Sequence, residues 1–271
     1  MTTVGVLGAG GRMGREVCRA VAGDPELSLV AAVDPTAAGR RVGELAGVAG
    51  AAGELEVAGD VEALGAAGAT VAVDFTVADA APANMAWSAA HGVHAVVGTT
   101  GIPPDVIAGL AVAFEASSAN CVVAANFAVT AVLMMRFAEL AAPHVDGIEI
   151  VELHHNAKVD APSGTALATA ARIAEARRAA GARAWAADAT TSETLAGARG
   201  GTAPGGIRVH SVRLPGLVAH QEVIMGAAGQ GLSIRHDAYD RTSFMPGVIL
   251  AVKAVGRLPG LTVGLDAVLG L

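Results

Sequence analysis

A short apolar run, Val4 to Leu7, passes at once into Gly8-Ala9-Gly10-Gly11-Arg12-Met13-Gly14 and then into a helical pattern from Glu16 to Ala22. Strand, glycine turn and helix in that order constrain the fold more than any other stretch. Glycines let a backbone approach a pyrophosphate without a Cβ clash, and a helix start offers unpaired amides to its charge. The spacing is Gly8-x-x-Gly11-x-x-Gly14, with Met13 where the third glycine of a strict G-x-G-x-x-G would fall. A second strand, Leu27 to Val33, ends in Asp34, about where an acid meets the hydroxyls of an adenosine ribose. The plainer alternative is a structural glycine turn with Asp34 as an ordinary turn residue before Pro35, in a chain that holds 35 glycines.

The pattern then repeats. Strands are expected at Thr70 to Phe75, Val93 to Gly98 and Cys121 to Ala125, with helices at Ala78 to Ala90 and Pro103 to Glu115. This βαβ alternation predicts an α/β domain with a parallel sheet, whose ligands sit beyond the carboxyl ends of the strands. Those ends are Gly8, Asp34, Asp74-Phe75-Thr76, Gly98-Thr99-Thr100-Gly101 and Asn126-Phe127. From Phe127 the character changes to a helix at Val129 to Leu140, a reactive stretch with its own helix, and a glycine-rich segment from Gly197 to Gly206. Ile207 to Leu214, His220 to Met225 and Leu232 to His236 read as consecutive strands stacked into one open sheet, which invites pairing between subunits. Ser243 to Val255 reads as helical after its first turn, and Leu261 to Leu265 as a strand returning to the first domain.

Composition sets limits. A chain of 271 residues that is 53% hydrophobic can bury one or two substantial cores. A net charge of -7 without a Lys/Arg cluster argues against a nucleic-acid partner. The two cysteines, Cys18 and Cys121, lie far apart in apolar surroundings and read as buried thiols in a reducing compartment. No basic and apolar leader precedes Val4, so a cytoplasmic location is expected. The uncharged run from Ala116 to Met135 carries Ser117, Ser118, Asn120, Asn126 and Thr130, and reads as a buried strand and helix rather than a membrane span. His91 and His94 lack the further ligands a metal needs, so no metal site is expected.

The reactive stretch runs from Glu152 to Thr165: Glu-Leu-His-His-Asn-Ala-Lys-Val-Asp-Ala-Pro-Ser-Gly-Thr. Ile148, Ile150, Val151 and Leu153 give strand character, whereas Asn156, Asp160, Pro162 and Gly164 break it, placing His154, His155 and Lys158 where a strand spills into a loop. Gly164 and Thr165 then open an alanine-rich helix to about Arg178, with Ser163 as N-cap. Free amides beside basic side chains suggest a pocket for a small anionic substrate, with a proton donor of adjustable pKa, His154 or Lys158. A histidine pair can also simply hold a loop, and a lone lysine is usually solvated; the density of the cluster favours chemistry.

Taken together, Gly8 to Gly14, Asp74 to Thr76, Gly98 to Gly101, Asn126-Phe127, Glu152 to Thr165, His210 to Glu222, and Arg235 to Asp237 followed by Asp240 to Gly247 resemble the 4-hydroxy-tetrahydrodipicolinate reductase (dihydrodipicolinate reductase) family over nearly the whole chain. The resemblance implies a Rossmann-like parallel-sheet dinucleotide domain formed by residues 1–126 and 240–271. It also implies an α+β substrate and tetramerisation domain, residues 127–239, with an open mixed sheet, a hinge between the two domains, and a cytoplasmic homotetramer. By resemblance His154 and Lys158 are catalytic, and His155, Gly164 and Thr165 hold the carboxylates of a small cyclic dicarboxylate. The cofactor, NADH or NADPH, meets Gly8, Ala9, Gly10, Gly11, Arg12, Met13, Asp34, Gly98, Thr99, Thr100, Ala124, Ala125, Asn126 and Phe127.

The implied reaction passes a hydride to the substrate with net loss of water, in diaminopimelate and lysine biosynthesis. Three features depart from the family pattern. Thr130 and Ala131 follow where a glycine is usual, Ala124-Ala125 replaces an Ala-Pro or Ser-Pro pair, and Pro35 follows Asp34 in place of a phosphate-binding arginine, with Arg40 and Arg41 the nearest cations. Another Rossmann-type amino- or imino-acid dehydrogenase, or a non-catalytic dinucleotide sensor, would share the glycine turn. The cluster of His154, His155 and Lys158 discriminates against both.

Overall fold

The computed structural model describes all 271 residues. In chain order the elements are β1 (Thr2–Leu7), α1 (Arg12–Gly23), β2 (Leu27–Val33), α2 (Val42–Ala46), α3 (Gly50–Gly53), α4 (Glu62–Ala66), β3 (Val71–Asp74), α5 (Ala81–His91), β4 (His94–Val97), α6 (Pro104–Glu115) and β5 (Cys121–Val123). There follow α7 (Val129–Ala141), β6 (Gly147–His154), α8 (Gly164–Ala179), β7 (Gly201–Thr202), β8 (Arg208–Arg213), β9 (Ala219–Ala227), β10 (Gln230–Ala238), α9 (Met245–Ala254), β11 (Leu261–Val263) and α10 (Asp266–Leu269). The chain divides into two compact units, one of Met1–Val129 with Phe244–Leu271, the other of Thr130–Ser243.

The first unit is built on a six-stranded sheet in the order β11-β5-β4-β3-β1-β2, parallel throughout. Its central strands are apolar on both sides, as a sheet covered on both faces requires; every residue of β3 is buried. Met85, Leu110 and Phe114 of α5 and α6 pack with Val97 and Cys121 on one face. Because β2 lies on one side of β1 and β3 on the other, the strand order reverses between β1 and β3, the crevice in which doubly wound sheets take ligands. Two glycines make that crevice. Gly8 has φ +78, and a Cβ on it would lie 2.6 Å from the Phe75 carbonyl oxygen; a Cβ on Gly14 would lie 2.0 Å from the Gly8 oxygen. Gly14 thus gives the close helix–strand approach that the absent glycine at position 13 would have given.

Several expected boundaries move. The first helix starts at Arg12 rather than Glu16, so Arg12 and Met13 belong to its first turn. The strand from Cys121 ends at Val123, leaving Ala124 and Ala125 beyond it. The stretch between β2 and β3, for which the sequence offers no periodicity, holds α2, α3 and α4, each of five residues or fewer. The return of the C-terminus is seen directly: β11 pairs with β5 from Leu261↔Cys121 to Val263↔Val123.

The second unit holds a five-stranded mixed sheet, β10-β9-β6-β8-β7. The late strands are not simply consecutive in space, as the sequence suggested. β6 inserts between β9, to which it is antiparallel, and β8, to which it is parallel. The physical reason is burial: β6 alternates with Ile148, Ile150 and Glu152 buried, so it occupies the centre, where one face is covered. Gln221 on β9 donates to the Thr169 hydroxyl of α8 across 2.8 Å on that covered face. The other face, carrying Glu149, Val151, Leu153 and Ile224, is open, and Ile224 is 43% exposed.

Candidate active site

Parallel pairing brings the expected cofactor residues to one edge of the first sheet. Gly8 and Ala9 donate their amides to the Val33 carbonyl at 2.8 and 3.1 Å, Gly10 donates to Asp34 Oδ2 at 2.9 Å, and Gly11 donates to the Gly8 carbonyl at 3.0 Å. The turn is therefore satisfied internally, and the open donors are the first-turn amides of α1 at Arg12 and Met13. Gly11 caps α1 without any side-chain bond, so nothing of the protein competes for them. A cradle without side chains, at an uncapped start of a twelve-residue helix, fits a pyrophosphate.

Asp34 is 8% exposed. Its Oδ1 accepts from the amide and hydroxyl of Thr36 at 2.9 and 2.7 Å, and its Oδ2 from Gly10. Of the roughly four acceptor positions of a carboxylate, this leaves about one for a ribose hydroxyl rather than two. Arg40 pairs loosely with Glu44 at 3.9 Å, and Arg41 pairs with Glu54, so both cations near this acid already have partners.

Asp74, buried at the end of β3, organises the neighbouring loops. It accepts from the amide and hydroxyl of Thr76, from Asn84 Nδ2 on α5 at 2.7 Å, and from the Thr99 hydroxyl at 2.9 Å. Gly98, Thr99 and Thr100 follow β4, with Thr99 buried on Asp74 and Thr100 exposed. Ala124 is buried and Ala125 exposed, Asn126 Oδ1 accepts from the Ala128 amide at 2.8 Å, and the buried Phe127 ring stands 5.8 Å from that of Phe75. Thr130 places its hydroxyl 2.9 Å from His236 Nδ1.

In the second unit the residues of the reactive stretch separate into two environments. His154 ends β6 and is half-buried, whereas His155 is exposed in the loop. The Lys158 amide closes a turn on the His155 carbonyl at 3.2 Å, and its Nζ donates to both oxygens of Asp160 at 2.7 and 2.9 Å. Ser163 caps α8, accepting from the Ala166 amide at 3.2 Å, so Gly164 and Thr165 form the first turn of that helix. The expected anion cradle thus stands on a properly begun helix of sixteen residues.

The centre of the cluster is a residue that reading the histidines alone passes over. The Glu152 side chain is fully buried, yet it accepts from Arg213 through both terminal nitrogens, each at 2.8 Å, from His154 Nδ1 at 2.6 Å, and from the Ser163 amide at 3.2 Å. Burial alone pushes its carboxyl up, but hydrogen bonds from Arg213, Ser211 and His154 outweigh it and hold the group at about 2. For His154 burial wins: desolvation, with Lys158 and Arg213 nearby, lowers its pKa against the pull of Glu152. The signal for Glu152 lay in strand alternation, since residues two apart share a face. Arg213 lies opposite His154 in the parallel register of β6 and β8, which the sequence alone does not announce.

A switch-point crevice with a side-chain-free cradle, and a second unit that gathers histidine, lysine and a helix start, define a dinucleotide-dependent oxidoreductase. Comparison with known proteins makes this particular. Family models described as the N-terminus and the C-terminus of dihydrodipicolinate reductase match residues 2–127 and 130–269, and the chain belongs to that family. It is 48% identical to the 4-hydroxy-tetrahydrodipicolinate reductase of Nocardia farcinica, over 99% of this chain and 98% of the relative. It is also 48% identical to that of Cutibacterium acnes, over 100% of both. A dipicolinate-bound dihydrodipicolinate reductase from Paenisporosarcina sp. TG-14 superposes with a TM-score of 0.85 at 37% identity, covering 98% of this chain and 99% of that one.

Proposed function

We propose that this chain reduces 4-hydroxy-tetrahydrodipicolinate to tetrahydrodipicolinate with NADH or NADPH, in diaminopimelate and lysine biosynthesis. The observation that carries the reading is the end-to-end match to reductases of that name, together with the Glu152 to Thr165 cluster in one loop. A hydride and a proton enter the substrate and water leaves. A bound reduced nicotinamide supplies the hydride. His154 supplies the proton, Lys158 offers a cation beside the reacting ring, and the amides of Gly164 and Thr165, with His155, take the carboxylates. The neighbour that holds dipicolinate, a planar cyclic dicarboxylate, supports this substrate class. Gly8 to Met13, Asp34, Gly98 to Thr100 and Ala124 to Phe127 are read as the cofactor contacts.

The test is a coupled assay in which a synthase generates the unstable substrate while nicotinamide absorbance is followed. Oxidation that depends on the synthase supports the reading. Dinucleotide binding without turnover would make the protein a sensor, and turnover only with other imino acids would make it a different dehydrogenase. The protein is further read as a homotetramer, because the open sheet face carries Val151, Leu153 and Ile224, apolar groups that a second copy would cover. Light scattering that gives a monomer at micromolar concentration ends that reading. No helix is long and apolar enough to cross a membrane, and the two buried free cysteines suit a reducing cytoplasm.

A further inference from the structure

The hydrogen-bond set around Glu152 decides more than its own charge. Its partners at Oε1 are Arg213 Nη2 at 2.8 Å and the Ser163 amide at 3.2 Å, and at Oε2 they are Arg213 Nη1 at 2.8 Å and His154 Nδ1 at 2.6 Å. A guanidinium does not lose its protons in a protein and a backbone amide only donates, so three of these four partners are obligatory donors. The bidentate guanidinium, one nitrogen on each oxygen, keeps the carboxyl ionised, so Oε2 has no proton of its own to give the ring. The fourth partner, His154 Nδ1, must then donate as well. Nδ1 carries its proton in both charge states of the ring, and the proton that comes and goes is the one on Nε2.

We infer that Glu152, clamped by Arg213, is the positioning residue that locks His154 as its Nδ1–H tautomer and leaves Nε2 as the single proton-exchanging atom offered to the substrate. The fold supplies the geometry. Glu152 and His154 are two apart on β6 and share a face, while Ser211 and Arg213 are their respective partners in the β6–β8 register. The same carboxylate also holds the amide of Ser163, the cap of α8, so one buried group aligns the proton donor and the start of the carboxylate cradle. The charged groups around the ring are Glu152 on its own strand, Arg213 on β8, and Lys158 in the loop with Asp160 upon it. Of these, Glu152 alone both touches the ring and favours the imidazolium, so it offsets part of the desolvation that lowers the ring's pKa.

The inference rests on the reading of His154 as proton donor, and the two fail differently. If His154→Gln keeps the wild-type rate, that reading fails whatever the tautomer. The direct test of the inference is NMR of isotope-labelled histidine in the native enzyme, with His154 identified by the resonance lost in His154→Gln. The neutral ring is expected to be protonated at Nδ1, and a neutral ring protonated at Nε2 overturns the proposal without recourse to any Glu152 variant. In Glu152→Gln the proposal expects three outcomes: kcat lower by about a hundredfold to ten-thousandfold, the alkaline limb of the kcat profile, where the proton donor is lost, moved to lower pH, and dinucleotide affinity unchanged. A purely structural carboxylate would lower thermal stability but leave the limb and tautomer where they are. A folded Glu152→Gln with kcat within about threefold of wild type and an unmoved limb therefore also overturns it. If that variant does not fold, the tautomer in the native enzyme decides alone.

Discussion

The two units bury carboxylates in opposite ways. Asp34 and Asp74, at the edge of the parallel sheet, are held entirely by neutral donors: backbone amides, threonine hydroxyls and the Asn84 amide. Glu152, in the mixed sheet, is held by a guanidinium and an imidazole. Neutral donors satisfy a carboxylate's lone pairs without cancelling its charge, so the first arrangement fixes loop shape and leaves a negative field where a cofactor's ribose would lie. Ionic partners cancel the charge and pass its influence to a titrating ring. The difference teaches that the first unit uses acids to fix the loops at its sheet edge, whereas the second ties one to a guanidinium and an imidazole, the arrangement on which the proposed control of a proton donor rests.

The largest expected effect tests the division of labour. His154→Gln and Lys158→Ala should each lower kcat by about a hundredfold to ten-thousandfold while leaving dinucleotide affinity in the first unit nearly intact, as steady-state rates and a direct binding titration would show. Rates above about a tenth of wild type in both variants would dissolve the contrast.

Next comes the ionic character of the Glu152 clamp. Its carboxyl falls from the usual 4.5 to about 2 in the folded chain, a depressed acid. Its stabilisation is therefore fully present above about pH 4.5 and lost as pH falls towards about 2, and the shift corresponds to about 3 kcal/mol. Denaturant unfolding of wild type and Glu152→Gln across that window should show a stability gap that narrows with acid. A gap that stays constant with pH would mean the clamp is not ionic, and the comparison with the first unit would lose its basis.

Smaller again is the anion cradle. Thr165→Val should raise KM for the dicarboxylate by about tenfold to a hundredfold, in line with roughly 1.5 to 3 kcal/mol for a hydrogen bond to a charged group, and change kcat less. An unaltered KM removes the Thr165 hydroxyl from the cradle and leaves the amides of α8 as its only donors there. The smallest expected effect is in the first unit, where the Asp34 charge stands against an adenosine phosphate and its neighbours Arg40 and Arg41 are engaged by Glu44 and Glu54. Both cofactors should serve, with efficiencies within about tenfold, or ~1.4 kcal/mol. A preference for NADPH beyond about a hundredfold that survives high salt would reveal a fixed cation at that edge.

Much of this was legible in the sequence, for reasons of periodicity. The strand at Leu27–Val33 falls where its apolar run says, and Ser163 caps α8 as its place before Gly164 and Thr165 suggests. The short helices between β2 and β3 were not legible, because four or five residues are too few to show a helical period. Nor was the order of the second sheet, since pairing between distant strands leaves no local mark.

By itself the sequence determined what local rules can carry: the glycine turn, the parallel alternation, and a loop dense in basic groups at the end of a strand. The tertiary structure alone decided which groups meet. Arg213 reaches Glu152 only because β8 lies parallel beside β6, and the first-turn amides of α1 stand open only because Asp34 and Val33, across the sheet edge, take up the turn's other donors. The reason is physical. Backbone preference and periodicity act over a few neighbouring residues, whereas a buried charge must find its partners in three dimensions wherever the chain happens to supply them.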